Sequence, residues 1–144
     1  MMNENFPERI ARIKEKFLSL HDPEDRYTYL IELGRAAPPF PHELRTAENI
    51  VPGCQSVLYL HTCFHEEKLF FTAHSEALIS AGLAALLIAA YSDTSPQIIL
   101  LNPPLFLQEI GLFASLSPHR SNGLASIYVR MKQEAMKYIL SIKI

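Results

Sequence analysis

The residues best suited to covalent chemistry are the run Gly53-Cys54-Gln55-Ser56, which lies just before an apolar stretch with strand character. The thiolate is the nucleophilic form of cysteine, and it reacts only where another molecule can reach it. Gly53 has no Cβ, so the backbone beside the thiol can turn tightly and approach a partner closely. We therefore predict that Cys54 is a reactive loop thiol. The alternative for this residue type is a buried cysteine that only fills space.

A second cysteine and three histidines follow in the next stretch of the chain. Together with Cys54 or Cys63, the residues His61, His65 and His74 could form a zinc site or a thiol–histidine pair for acyl transfer. The sequence completes no zinc ligand set, because it has neither a second cysteine pair nor a Glu-x-x-His run on a helix. We therefore expect the histidines to be solvated on an exposed sheet face, and Cys63 to be packing or a bystander.

The composition argues against several classes of ligand. The chain has 13 basic and 15 acidic residues, which give a formal net charge of −2. Lysines and arginines are spread among the acids rather than gathered in a basic stripe, so we expect no nucleic-acid binding. The five glycines are isolated and form no phosphate loop, so we expect no bound nucleotide.

Length and terminal pattern bear on domain number and location. The 144 residues suit one domain spanning residues 1–144. The first residues lack the basic and apolar regions of a secretory signal, so we expect a cytoplasmic chain with at least one free thiol. The longest apolar run, 81–91, is shorter than the roughly 18 residues that a spanning helix needs, so no membrane contact is expected.

The pattern before Cys54 predicts helices. Apolar residues recur at steps of four and three from Phe6 to Leu20, which predicts an amphipathic helix. The pair Asp22-Pro23 predicts the start of a second helix, and we expect the two to form a helical hairpin. Prolines at positions 38, 39 and 41 then predict an extended loop.

The pattern after Cys54 predicts a β-hairpin followed by more helices. Apolar runs at 57–60 and 69–72 flank the polar residues 66–68, as in two strands joined by a turn. Ser75 is the predicted cap of a central helix that is apolar on almost every face, and the last helix should begin near Ser121. The predicted class is α+β, a small antiparallel β-sheet with helices packed around it.

Several separated blocks resemble the SufE family, whose members carry sulfur for iron-sulfur cluster assembly, and together they cover nearly the whole chain. The blocks are Tyr29-Leu30-Ile31-Glu32-Leu33-Gly34, the stretch from Arg45 through Asn49, Val51 and Gly53-Cys54-Gln55-Ser56 to Tyr59, Ser75-Glu76-Ala77 with Gly82-Leu83, and Leu116-Ser117-Pro118-His119-Arg120-Ser121-Asn122-Gly123-Leu124. The chain departs from the family pattern at Val57 and Tyr59, where the family often has glutamine and tryptophan. These departures bear on packing and partner preference, not on the thiol.

The resemblance implies a sulfur shuttle with a SufE/IscU-like fold. A SufS-type cysteine desulfurase would place sulfur on Cys54, which would pass it to a SufB-type scaffold. The chain itself would hold no cofactor and no metal, because the pyridoxal phosphate belongs to the desulfurase. Gly53 would leave room for the partner, Gln55 and Ser56 would hydrogen-bond the loop or the sulfur, and Arg120 would contact a partner or orient the loop.

A persulfide is readily lost to reductants and oxidants, so the resemblance also implies an apolar shelter for the resting thiol. Val51, Val57 and Leu58 are the candidates for its walls, and a loop movement at Pro52-Gly53 would expose the thiol to the partner.

Two alternatives to the carrier stay open at this point. One is an activator of the desulfurase that needs no thiol. The other is a cysteine hydrolase or acyltransferase in which a histidine activates Cys54. Homodimer formation, and the particular desulfurase and scaffold that the protein serves, also stay open.

Overall fold

The computed structural model describes residues 4–142, in which helices surround a two-stranded antiparallel sheet. The elements in chain order are α1 (Phe6–Leu18), α2 (Pro23–Arg35), β1 (Leu58–His65), β2 (Lys68–Ser75), α3 (Leu78–Tyr91), α4 (Pro96–Leu101), α5 (Phe106–Glu109), α6 (Leu112–Ser115) and α7 (Pro118–Ile142). The extended proline segment is present, and short 3-10 turns at His42–Leu44 and Ala47–Asn49 lead from it towards β1. The predicted α+β class is confirmed.

The sheet is one hairpin, as predicted. Its register runs from Leu58 opposite Ser75 to a tight turn at Glu66 and Glu67. Both turn residues have positive φ, +50° and +66°. This geometry matches the twist of the two strands but normally uses asparagine or glycine, so the two glutamates hold it under backbone strain.

Helix α3 is the buried centre of the fold, as its apolar sequence predicts. Its buried residues are Gly82, Leu83, Ala84, Leu86, Leu87, Ala90 and Tyr91. Helix α2 packs along α3, and β2 and α7 cover other sides. Helices α2 and α3 approach each other closely at Gly82. A Cβ added to Gly82 would lie 2.2 Å from the carbonyl oxygen of Leu30. The absence of a side chain at Gly82 therefore sets the distance between these two helices.

The helical hairpin predicted for α1 and α2 differs from the structure. Helix α2 packs along α3, while α1 contacts α3 and α5. Helices α1 and α2 meet where the rings of Phe17 and Tyr29 are arranged edge to face, with centroids 5.3 Å apart. Arg9 of α1 also donates hydrogen bonds to the carbonyl oxygens of Ala90 and Ser92, at the C-terminal end of α3.

Two predicted helix starts are wrong. Ser75 ends β2 rather than capping α3, and its hydroxyl oxygen accepts a hydrogen bond of 3.2 Å from the Ala77 amide, just before α3 begins at Leu78. Helix α7 begins at Pro118 rather than near Ser121. Proline suits a first helical turn, where its missing N–H would have no intrahelical partner in any case.

Helix α7 closes the fold on the side of the cysteine loop. It is 25 residues long, and it buries the face that carries Leu124, Ile127, Met131 and Ala135. Its charged residues lie on the other faces, as expected for an amphipathic helix. None of the helices in residues 4–142 is both long and apolar enough to cross a bilayer.

Candidate functional site

Cys54 lies in a loop whose two ends are joined by backbone pairing of the kind found between antiparallel strands. The Val51 amide donates a hydrogen bond of 2.9 Å to the Leu58 carbonyl oxygen, and Ile50 forms an antiparallel bridge with Tyr59. The side chains of Val51 and Leu58 are buried in the core. The base is therefore anchored, and residues 52–57 project from it.

The tip of the loop rests on α7. Gly53 has a φ of +90°, and a Cβ at this position would lie 2.4 Å from the Ser126 hydroxyl oxygen. The Cys54 thiol donates a long hydrogen bond, 3.8 Å, to the Gly123 carbonyl oxygen. Because Gly53 combines a left-handed conformation with a close contact, a side chain here would strain the backbone and would displace the loop or the Ser126 hydroxyl. The tight turn expected at Gly53 is therefore present.

Arg130 ties the segment before the loop to the same helix, a contact that the sequence patterns did not predict. Its guanidinium donates to the carbonyl oxygens of Ile50, at 3.1 Å, and Glu48. On the other side, the Asn49 side-chain amide donates to the Leu44 carbonyl oxygen at 2.8 Å. The base of the loop is thus firmly held, whereas the tip has the weak sulfur contact and the packing of Gly53.

A cavity of about 390 Å³ opens beside the thiol. Its apolar walls include Ile31, Leu58, Ile79, Leu83 and Ile127. These residues come from α2, β1, α3 and α7, so four elements build the cavity. Because a water molecule occupies about 30 Å³ in the liquid, the cavity has ample room for one more sulfur atom on Cys54.

The predicted apolar shelter is therefore built largely from other residues. Of the three candidates, Leu58 lines the cavity. Val51 is 2% exposed and packs at the loop base, and Val57 is 57% exposed. Since side chains alternate in direction along an extended chain, Val57 and Leu58 cannot face the same side.

The structure brings most of the predicted site residues together. The cavity is lined by Cys54, Gln55, Ser56 and Arg120. Gly53 instead lines a neighbouring groove against α7. Arg120 lies in the first turn of α7, with its guanidinium carbon 5.8 Å from the centre of the Tyr27 ring. The arginine therefore approaches the thiol loop although the two are far apart in sequence.

His119 also lines this cavity, and it was missed as a site residue. His119 is four positions before Gly123, and residues four apart on a helix share a face. The sequence does not show that Gly123 lies at the thiol, and the predicted helix start near Ser121 left His119 outside the helix. Within residues 4–142, no histidine side chain forms a hydrogen bond with the Cys54 thiol. This weakens the hydrolase alternative, in which a histidine would activate Cys54.

Burial raises the pKa of the Cys54 thiol above its ordinary value. The cause is the loss of hydration, which penalises the charged thiolate more than the neutral thiol. The half-buried resting sulfur is therefore protonated at neutral pH and is a poor nucleophile until its surroundings change.

Cys63 is not a packing residue, in contrast to one of its two predicted roles. It is exposed, and it shares the outer face of β1 with His61 and His65. His65 is exposed as predicted, while His61 and His74 are half-buried, and His74 lies 3.2 Å from a carboxylate oxygen of Glu76. In the part of the chain that the structure describes, no group of three or more His, Cys, Asp or Glu side chains could hold a metal ion.

The fold and the site define a class of protein, an α+β chain that keeps one thiol half-sheltered at a loop tip beside a mainly apolar cavity. A family model described as "SufE: Fe-S metabolism associated domain" matches residues 11–135. The chain belongs to the SufE family.

Similar proteins agree with this assignment. An uncharacterized SufE-like protein of Rhizobium etli is 41% identical over 135 residues, which cover 90% of this chain and 91% of the relative. The cysteine desulfuration protein SufE of Wigglesworthia glossinidia brevipalpis is 31% identical over 141 residues, which cover 96% of this chain and 97% of the relative. The solution structure of a hypothetical protein from Thermus thermophilus matches with a TM-score of 0.77 at 26% identity, and covers 92% of this chain and 96% of that chain. The resemblance seen in the sequence is confirmed.

Proposed function

We propose that the protein is a sulfur carrier in cysteine desulfuration. Cys54 accepts the persulfide sulfur of a SufS-type cysteine desulfurase and passes it to a SufB-type scaffold for iron-sulfur cluster assembly. The family is associated with Fe-S metabolism, and one relative is named a cysteine desulfuration protein. The observation that carries the proposal is the half-buried Cys54 thiol at the edge of a cavity of about 390 Å³.

The transfer step needs no oxidant. The Cys54 thiol loses its proton, and the thiolate attacks the terminal sulfur of the desulfurase persulfide. A new sulfur–sulfur bond forms on Cys54, the bond in the donor breaks, and the electron pair leaves with the desulfurase thiolate. Removing this sulfur returns the desulfurase to its starting state, so acceptance by Cys54 also stimulates its turnover. The protein itself supplies no cofactor to this step.

The resting site protects the thiol rather than activating it, so the partner has to change its surroundings. We infer that residues 52–57 move when the desulfurase docks, because the loop tip is weakly held while its base is anchored. Hydrogen exchange across residues 49–56, with and without desulfurase, tests this movement. Unchanged protection in the complex contradicts it.

We place this activity in the cytoplasm.

The direct test is intact mass after incubation with a SufS-type desulfurase and cysteine. We expect added sulfur on Cys54, and equal loading of a Cys63→Ser variant. Cys54→Ser should fold and take up no sulfur. Cys63 is the more exposed thiol, so selective loading of Cys54 would reflect docking rather than simple access. Sulfur on the Cys63 peptide alone would overturn the assignment.

The same variants distinguish the thiol-independent activator. If Cys54→Ser stimulates the desulfurase as fully as the unchanged protein, the protein acts without carrying sulfur. If stimulation is lost together with loading, the carrier explains both.

A further inference from the structure

A second groove, of about 580 Å³, lies on the other side of the cysteine loop. It is lined by Arg45, Val57, Tyr59, His74 and Glu76, and we call it the Arg45 groove. Ser56 and Ala77 line both this groove and the Cys54 cavity, so the two depressions adjoin. A segment bound in the groove would therefore lie next to the cysteine loop.

The fold leaves aliphatic side chains uncovered in this region. Val57 is 57% exposed in the Arg45 groove, and Leu78 is 50% exposed at the rim of the Cys54 cavity. Exposed aliphatic side chains next to a functional loop gain stability only when another molecule covers them. They form the apolar part of a candidate contact surface, with polar residues around it.

Unpaired cationic side chains lie on both sides of the loop. Arg45 is exposed, and it forms no ion pair or side-chain hydrogen bond with any of residues 4–142. Arg120 forms no ion pair with this part of the chain either, and lies over the Tyr27 ring. The carboxylate of Glu76 is 3.2 Å from His74. The two depressions together are lined by two arginines, Arg45 and Arg120, and by one carboxylate, Glu76. Although the whole chain carries a net charge of −2, the surface beside Cys54 is therefore cationic on balance and complementary to an acidic group.

We propose that the Arg45 groove is a docking site for a segment of the cysteine desulfurase that presents a carboxylate to Arg45 and an aliphatic side chain to Val57. This inference rests on the proposed function. The sulfur donor is the partner that meets the protein in its resting, sulfur-free form, and it must open the loop to reach a sheltered thiol. Contacts in a groove that adjoins the cavity supply that binding energy beside the loop itself.

The variant Arg45→Glu tests the groove in the full chain. Sulfur transfer from a SufS-type desulfurase of the same genome is measured against the concentration of the protein, with cysteine in excess. We expect the KM to rise about tenfold, because reversal replaces an attraction by a repulsion, while the maximal rate stays within about twofold. Arg45→Lys keeps the charge and should retain most of the affinity. Affinity should also fall with salt in the unchanged protein, and less in Arg45→Glu.

Lys132→Glu is the matched control. Lys132 is exposed on α7, about 200° around the helix axis from Arg130, so it points away from the loop. Lys132→Glu makes the same change in charge as Arg45→Glu, and we expect it to leave the KM unchanged.

Val57→Glu is a second test of the groove, since Val57 is exposed and contributes little to the core. It should also raise the KM.

Three results would overturn the proposal. The first is an unchanged KM in both groove variants. The second is a lower maximal rate at unchanged KM, which would place Arg45 in the chemistry rather than in docking. The third is a changed oligomeric state with unchanged KM, which would make the groove a contact between copies. In each of these cases, sulfur loading of Cys54 in the intact-mass experiment would still support the proposed carrier function. Sulfur loading of the Cys54→Ser variant would contradict the carrier function itself.

Discussion

The sulfur of Cys54 is placed where protection and reactivity oppose each other. Half burial raises the pKa of the thiol and keeps it neutral, and the thiol donates a long hydrogen bond to the Gly123 carbonyl oxygen. Both effects disfavour the thiolate that sulfur transfer requires. A thiol in this state reacts slowly unless its surroundings change, and in the proposed function the desulfurase makes that change.

The raised pKa gives the first prediction. In a Cys63→Ser background, the rate of Cys54 alkylation by iodoacetamide should keep rising with pH after the rate for a cysteine in an unstructured, uncharged peptide has levelled off. The reason is that a raised pKa moves formation of the thiolate to higher pH. Alkylation followed by mass spectrometry measures both profiles. An apparent pKa at or below that of the peptide cysteine would contradict the sheltered thiol.

The second prediction concerns Gly53→Val. The substitution adds backbone strain of about 1–3 kcal/mol, and its Cβ meets the Ser126 hydroxyl oxygen at 2.4 Å. The strain disturbs the loop, and the valine side chain crowds the route to the desulfurase persulfide. Sulfur transfer to Cys54 should therefore fall much more than its alkylation by iodoacetamide, a small reagent that needs less room. Ser126→Gly should restore part of the loss by relieving the contact.

Gly111→Ala is the control for backbone strain at Gly53. Gly111 also has a left-handed φ, +71°, but the nearest neighbour that a Cβ there would meet is an Arg26 nitrogen at 4.0 Å. It should lower the free energy of unfolding and leave sulfur transfer unchanged. If Gly53→Val retains full transfer, Gly53 is not part of the site.

Among the elements, the hairpin turn is strained at Glu66 and Glu67. Replacing them together, Glu66→Asn with Glu67→Gly, should raise the free energy of unfolding by about 1 kcal/mol, because these residues tolerate positive φ. Urea unfolding measures the change. The control is Glu66→Gln with Glu67→Gln, which removes the charges but keeps the backbone preference, and which should have little effect. Equal gains in both variants would assign the effect to charge.

The close packing of α2 against α3 predicts that replacing glycine by alanine at position 82 lowers the stability of the fold instead of raising it. Alanine normally stabilises a helix by about 1 kcal/mol relative to glycine. Gly82→Ala should instead destabilise the protein by about 1–3 kcal/mol, as overpacking does, since its Cβ would lie 2.2 Å from the Leu30 carbonyl oxygen. Gly123→Ala, whose Cβ would lie 3.8 Å from the Cys54 sulfur, should stabilise the fold in the same urea experiment. A stabilising Gly82→Ala would refute the packing argument.

The elements also show what the sequence can and cannot predict. Helices, the hairpin and the buried α3 follow from local periodicity, which one stretch of sequence contains. The pairing of α2 with α3 does not, because it depends on a close approach at Gly82 between separate segments. For the same reason Cys54 and Arg120 were found from their own motifs, while the cavity walls and the role of Arg130 came from the packing of distant elements.

For the whole molecule, the shelter of Cys54 depends on the complete fold, because four elements build its cavity. In urea, alkylation of Cys54 should therefore accelerate many-fold across the unfolding transition. The exposed Cys63 should change little and serves as an internal reference. Pulsed alkylation with peptide mass spectrometry measures both thiols in one sample. Parallel acceleration of the two would mean that the native fold protects neither selectively.

Helix α7 supplies the far wall of the cavity, and the Gly123 carbonyl that holds the thiol lies 69 residues after Cys54. During synthesis the cysteine therefore leaves the ribosome long before the helix that covers it. A nascent chain carries an open thiol, free to meet oxidants or other proteins, until α7 emerges and docks. The shelter of the thiol is thus completed only after α7 has been synthesised and has packed against the loop.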